Sequence, residues 1–352
     1  MRRVIILMFL LLPGFAAQAA DGAGARIADQ FARPTLQALV DAAERNSIAV
    51  DALCADPGAE RLEAARKTFG TLVTDFGRAS VLRFGSLAAE SRIERLFFWP
   101  DPRGIALRQV QGILAKADDT AARQETLADK SAALQGIPAL EFVLFGSGSE
   151  QLASRDGAFR CAYAAAISRN IGVIAEETLD GWSPDTAFAR SFTAPSADAE
   201  IYRSPREVDG EIVKAMSTAL QFLGAAELSP PLGETPAKAN GRRAPLWRSD
   251  LTFALAQARI DGVQALLEAS GYAETVPSDQ AYAIDSLRFE LNTASAQLGE
   301  IGLPAEAAFA DEAARGHMTV ALLALDHARD IVSEDLSAAL GLTMGFNALD
   351  GD

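Results

Sequence analysis

Five stretches of this chain repeat apolar side chains at intervals of three and four residues. None alternates apolar with polar residues for long enough to suggest a strand. Within 61–78 the apolar positions are Leu62, Ala65, Phe69, Leu72 and Phe76, and within 150–180 they are Tyr163, Ile167, Ile171 and Ile174. The pattern returns at Val208, Ile212, Ala215, Ala219 and Phe222, then at Ile284, Leu287, Leu291 and Leu298. It closes with Met318, Leu322, Leu325, Val332, Leu336 and Leu340. Such spacing lines one face of a helix with residues that must leave water, so the sequence predicts an all-α protein.

Glycine and proline mark the breaks between these blocks. "FWPDPRG" (98–104) interrupts an early helical region, and "DGWSPDT" (180–186) reads as a helix stop followed by a new cap at Ser183 or Asp185. "SPPLGETPAKANGRRAP" (229–245) is the longest polar, proline-rich stretch and reads as a surface loop between two helical blocks. There is no short fixed repeat, which argues against a solenoid. Two helical bundles packed side by side fit the length and the breaks.

The first twenty residues carry Arg2 and Arg3, about a dozen apolar residues and an Ala-Gln-Ala ending. This is the layout of a secretory signal peptide, with cleavage expected after Ala19 or Ala20 and a periplasmic destination. No later segment is apolar for long enough to span a bilayer, so no membrane span is expected after cleavage. Losing two arginines and no acid takes the net charge from −15 to about −17. Such a surface repels nucleic acid and favours cations or basic partners. Cys54 and Cys161 form an even pair in an oxidising compartment, which predicts a disulfide between them. Only two histidines, His317 and His327, accompany them, so a Cys/His zinc site is not expected. His317 and His327 are also too far apart along one helix to share a metal, and His327 reads as part of a solvated face. No Gly-rich phosphate loop and no haem-attachment motif is present.

The most informative stretch is "GIPALEFVLFG" (136–146), almost wholly apolar around one carboxylate, Glu141. Pro138 suits the first position of a helix, and Glu141 then falls in or near its first turn, where the helix dipole favours a negative charge. Apolar residues on every side predict burial, and a buried carboxylate requires a partner. Arginine is the expected one, with Arg83, Arg92, Arg95, Arg103 and Arg160 in the same half of the chain.

At these residues the chain resembles the imelysin-like family of exported bacterial proteins, whose motif is Gly-x-His-x-x-Glu. Gly136, Pro138 and Glu141 occupy the matching positions, so this sequence is similar to a branch with proline in place of the histidine. "RFGSLAAESRIERLFFWPDPRG" (83–104), "FRCAY" (159–163) and "LGLTMGFNALDGD" (340–352) carry the resemblance further. It implies a domain over 31–345, with an N-terminal bundle at about 31–195 and a C-terminal bundle at about 196–345, preceded by a flexible 21–30. It also implies a link to bacterial iron acquisition, and the family was formerly classed as metallopeptidases. Pro138 has no ligand atom, so the resemblance favours a non-catalytic binding component of iron uptake over a metal-dependent hydrolase. A scaffold without a small ligand is a third reading. The candidate binding residues are Glu141, Arg92, Trp99, Asp101 and Arg103. A metal, if held, would be iron or another hard cation on oxygens, mainly Glu141 with Glu90 or Asp101. The expected partners are a cation or small ligand, or a periplasmic or membrane-bound component of the same system.

Overall fold

The computed structural model describes residues 22–342, so the leader expected over 1–20 and most of the 340–352 stretch lie outside the described residues. The described residues form helices and turns, with no strand among them. In the N-terminal half, α1 (Arg33–Ala55) packs against both α2 (Ala59–Ala79) and α5 (Ala158–Asp180). Between α2 and α5 run α3 (Ile105–Lys116) and the short α4 (Ile137–Phe145). The C-terminal half is built from α6 (Pro205–Phe222), α7 (Thr252–Ser270), α8 (Tyr282–Gly299) and α9 (Glu312–Asp330).

The stripes read from sequence are the buried faces. Leu62, Ala65, Phe69, Leu72 and Phe76 of α2 are all buried, as are Ile284, Leu287, Leu291 and Leu298 of α8. Each such Leu or Phe contributes about 1.5–3 kcal/mol by leaving water. Local chemistry sets the ends. Ser204 accepts a hydrogen bond from the Glu207 N–H ahead of Pro205 to start α6, and Asp311 does the same with Ala314 to start α9. The break at 180–186 is capped by Thr186 rather than by Ser183 or Asp185. Its Trp182 is fully buried and packs edge-on against Phe84, Phe188 and Phe192.

The two bundles share one continuous apolar core. Their main contact is α2 against α7, where small residues let the backbones approach. A β-carbon on Gly77 would come within 2.7 Å of the Ala258 methyl, and one on Gly262 within 2.7 Å of the Arg78 carbonyl oxygen. The N-terminal segment differs from expectation. Residues 23–32 are helical, not flexible, because Ile27 and Ala28 are buried and Ala23–Ile27 packs against α6 and α7. Cys54 on α1 and Cys161 on α5 are joined by a disulfide, their Cα atoms 5.5 Å apart, as the cysteine count predicted. No helix of the described residues is long and apolar enough to cross a membrane.

Candidate functional site

The stretch around Glu141 folds as α4, buried on nearly every side. Gly136 precedes it because the backbone of Arg95 and Leu96 comes so close that a β-carbon there would sit 2.4 Å from their carbonyl oxygens. Pro138 is the second helical residue rather than the first, still among positions whose N–H has no partner within the helix. Glu141 therefore lies one residue further in than the sequence suggested, at the fifth helical position and just past the first turn, where the helix dipole acts most strongly. At the other end of α4, Arg66 donates to the Leu144 carbonyl (3.0 Å) and Arg160 to that of Val143 (3.0 Å). Arginines thus satisfy the last carbonyls. Two other residues of "FRCAY" also support α4 and its surroundings. Cys161 is tied to α1, and the Tyr163 hydroxyl donates to the Leu134 carbonyl at 2.7 Å.

Glu141 is buried and in contact with an arginine, as predicted, but that arginine is none of the five candidates. It is Arg248, 107 residues away in the other half, with a guanidinium nitrogen 3.7 Å from Oε2. The firmer contacts are to backbone. The N–H groups of Arg248 (2.9 Å) and Ser249 (3.0 Å) both donate to Oε1. The Ser249 hydroxyl is 3.1 Å from the same oxygen and equally near the Leu246 carbonyl, so its single proton serves one or the other. Leu246 is in the left-handed backbone region (φ 54°), an unusual conformation for leucine that marks the turn bringing these N–H groups around. Burial pushes the Glu141 carboxyl above its ordinary value, and Arg248 with the Ser249 and Arg248 donors pulls it back less strongly.

Four of the five rejected candidates have other work. Arg83 lies over the Phe222 ring (4.4 Å), Arg95 donates to Gln135 (3.1 Å) and Arg160 caps α4. Arg92 binds Glu177 (3.1 Å), the Ser86 carbonyl (3.1 Å) and Glu90 (3.0 Å), and Arg103 is exposed.

Glu141 lines a cavity of about 550 Å³ between the two halves. Its walls are largely aromatic and proline: Phe97, Phe98, Trp99, Phe142 and Trp247, with Pro100, Pro138 and Pro245 among them. Trp99 is fixed by donating its indole N–H to the Ala226 carbonyl (3.2 Å). Asp101 also lines the cavity, but its two oxygens accept the Ile105 and Ala106 N–H groups, each at 2.8 Å, and so cap α3. The sequence-predicted residues Glu141, Trp99 and Asp101 are thus brought together, whereas Arg92, Glu90 and Arg103 do not line this cavity. The structure adds Arg242, Arg243, Trp247 and Arg248. All four come from "GRRAPLWR" (241–248), which overlaps the end of the stretch expected to be surface loop (229–245) and runs three residues past it; within that stretch Ala244 is buried. The cluster of arginines and a tryptophan was the available signal.

The donor set proposed for a hard cation does not fit. Glu90 is engaged by Arg92, Asp101 by α3, and Oε1 of Glu141 by the loop, while three arginines line the same space. Among the described residues no group of three or more His, Cys, Asp or Glu is placed to hold a metal. His317 meets Gln297 (2.9 Å), and the exposed His327 lies 3.6 Å from Glu290.

The family model described as Imelysin matches residues 32–332. An imelysin-like protein from Psychrobacter arcticum 273-4 superposes with a TM-score of 0.76 at 20% identity, covering 92% of this chain and 96% of that one. A protein named as an iron-regulated protein A precursor, from Parabacteroides distasonis ATCC 8503, has a TM-score of 0.72 at 15% identity, covering 88% and 93%. At these identities the likeness is one of fold. Among curated proteins no match is found.

Proposed function

The chain belongs to the imelysin family, and from that premise we propose that it is an exported, non-catalytic binding protein associated with bacterial iron uptake. The cavity at Glu141 is its binding site. One observation carries this reading: the only carboxylate of the family motif faces a preformed, ligand-sized aromatic space, with one oxygen committed to holding a loop. Catalysis is disfavoured by Pro138, which puts no metal ligand or proton-transferring group at the histidine position of the motif. A space of several hundred Å³ with apolar walls and few polar groups suits binding. The leader read at 1–20 supports export to the periplasm, and the name of the Parabacteroides protein supports the iron connection. A periplasmic or membrane-bound component of the same system would receive what the cavity holds.

The test is a comparison of periplasmic extracts from the native host grown with and without iron. The protein is expected there at the mass of a chain starting at Ala20 or Asp21, in larger amount when iron is scarce. A mass that includes residues 1–20 would rule out processing, and an amount indifferent to iron would remove the uptake role. Peptide cleavage by the purified protein that disappears in Glu141→Gln would restore the hydrolase reading.

A further inference from the structure

The charge of the cavity runs against the charge of the molecule. The chain carries a net −15, yet Arg242, Arg243 and Arg248 line the cavity against only two carboxylates. Both carboxylates are already engaged, Asp101 by two N–H groups of α3 and Glu141 by the Arg248–Ser249 backbone with the Arg248 guanidinium nearby. Arg248 itself is spent on Glu141 and on the rings of Trp247 (4.4 Å) and Phe142 (5.2 Å). The other two arginines are exposed, at the solvent end of the site. Arg242 is steadied by Glu306, 2.6 Å away. The Arg243 guanidinium has no hydrogen-bond or ion-pair partner among the described residues. The turn that presents them is fixed. Asn240 accepts the Arg242 N–H at 3.1 Å, and the Gly241 backbone is pressed against the Ala305 carbonyl, where a β-carbon would come within 2.2 Å.

We propose that the ligand is an amphiphilic organic anion, with an aromatic body seated against Trp99, Phe142 and Trp247 and a carboxylate at the mouth on Arg243 and Arg242. The apolar walls accept a flat, poorly hydrated body, and the arginine fork binds a carboxylate through paired N–H groups. A free cation is disfavoured by Arg243, which no acid offsets among the described residues, and by the engagement of both lining carboxylates. This inference rests on the reading of the cavity as a binding site.

Three probes of one shape separate the possibilities: 2-naphthoate, 2-naphthalenemethanol and 2-naphthylmethylammonium. The chain has three tryptophans, of which Trp99 and Trp247 line the cavity, so quenching of their fluorescence reports occupancy. Trp182→Phe removes the remaining signal, and calorimetry on the unaltered protein gives the same affinities should that variant not fold. Naphthoate is expected to bind at least tenfold more tightly than the alcohol, and the ammonium most weakly. The advantage of naphthoate should shrink at high salt and vanish in Arg242→Gln/Arg243→Gln, which alters only exposed side chains. Equal or tighter binding of the alcohol or the ammonium would overturn the anion assignment and leave the cavity standing as a binding site. No binding of any probe at millimolar concentration would overturn both.

Discussion

Glu141 and Glu227 are both buried, the first bonded directly across the two halves of the molecule and the second only through Arg259, and they are held in opposite ways. Glu141 belongs to the N-terminal half and takes backbone N–H groups from a loop of the C-terminal half, beside an open cavity. Glu227 sits in the C-terminal half, on a helical turn (Leu223–Leu228) that follows α6, and pairs with the buried Arg259 of α7 at 2.9 Å. Arg259 in turn reaches Ser80 at the end of α2 and lies among the rings of Phe76, Phe97 and Phe222. The second oxygen of Glu227 has no hydrogen-bond partner among the described residues. The enclosed acid therefore holds a buried arginine that lies among aromatic rings, whereas the one beside a cavity spends an oxygen on holding the loop that shapes it. Burial alone does not identify a functional acid, and what the carboxylate holds does.

Removing each carboxylate should separate the two roles. Glu227→Ala leaves Arg259 as an uncompensated buried charge and is expected to cost about 3–5 kcal/mol in urea unfolding, with the cavity intact. Glu141→Ala should cost less, about 2–3 kcal/mol. It strands the N–H groups of Arg248 and Ser249, but the Arg248 side chain is 20% exposed and can turn to water. That variant should also weaken naphthoate binding, because the loop carrying Trp247 and Arg248 loses its anchor. Equal costs with no loss of binding would erase the distinction between the two sites.

A smaller effect follows from titration. Burial raises both carboxyls above the ordinary glutamate value of 4.5, more than their arginines lower them. The folded protein then holds these protons more tightly than the unfolded chain, so this contribution to stability is complete below about pH 4.5 and lost as pH rises through the raised folded values. Measured against Glu227→Gln, which cannot titrate there, the wild type should gain melting temperature as pH falls from 7 to 5. A difference independent of pH would show that Glu227 ionises normally.

The sequence was most legible where periodicity decides the outcome. The stripes placed α2, α5, α6, α8 and α9 with their buried faces, though not α1 or α7, and the cysteine count placed the disulfide. Glu141 was legible as a buried acid needing a cation, because apolar residues surround it in the chain itself. Its partner was not, because a contact across 107 residues leaves no local pattern, and five nearer arginines offered equally good chemistry. Trp99 and Asp101 do line the cavity with Glu141, but the role of Asp101 as a cap for α3 depends on the turn at 101–104. The proline-rich stretch misled for a related reason. Its composition is that of a surface loop, yet its Leu232 and Ala244 are buried, and the residues just beyond its end are held by Glu141.

That contact is open to direct measurement by hydrogen exchange of the amides of Arg248 and Ser249. Both lie outside regular helix, where amides ordinarily exchange quickly. If Glu141 Oε1 holds them, they should be protected in the wild type, lose protection in Glu141→Ala, and keep it in Glu227→Ala under conditions where that variant remains folded. Fast exchange in the wild type, or protection unchanged in Glu141→Ala, would contradict the assignment of Glu141 as the clamp that shapes the cavity.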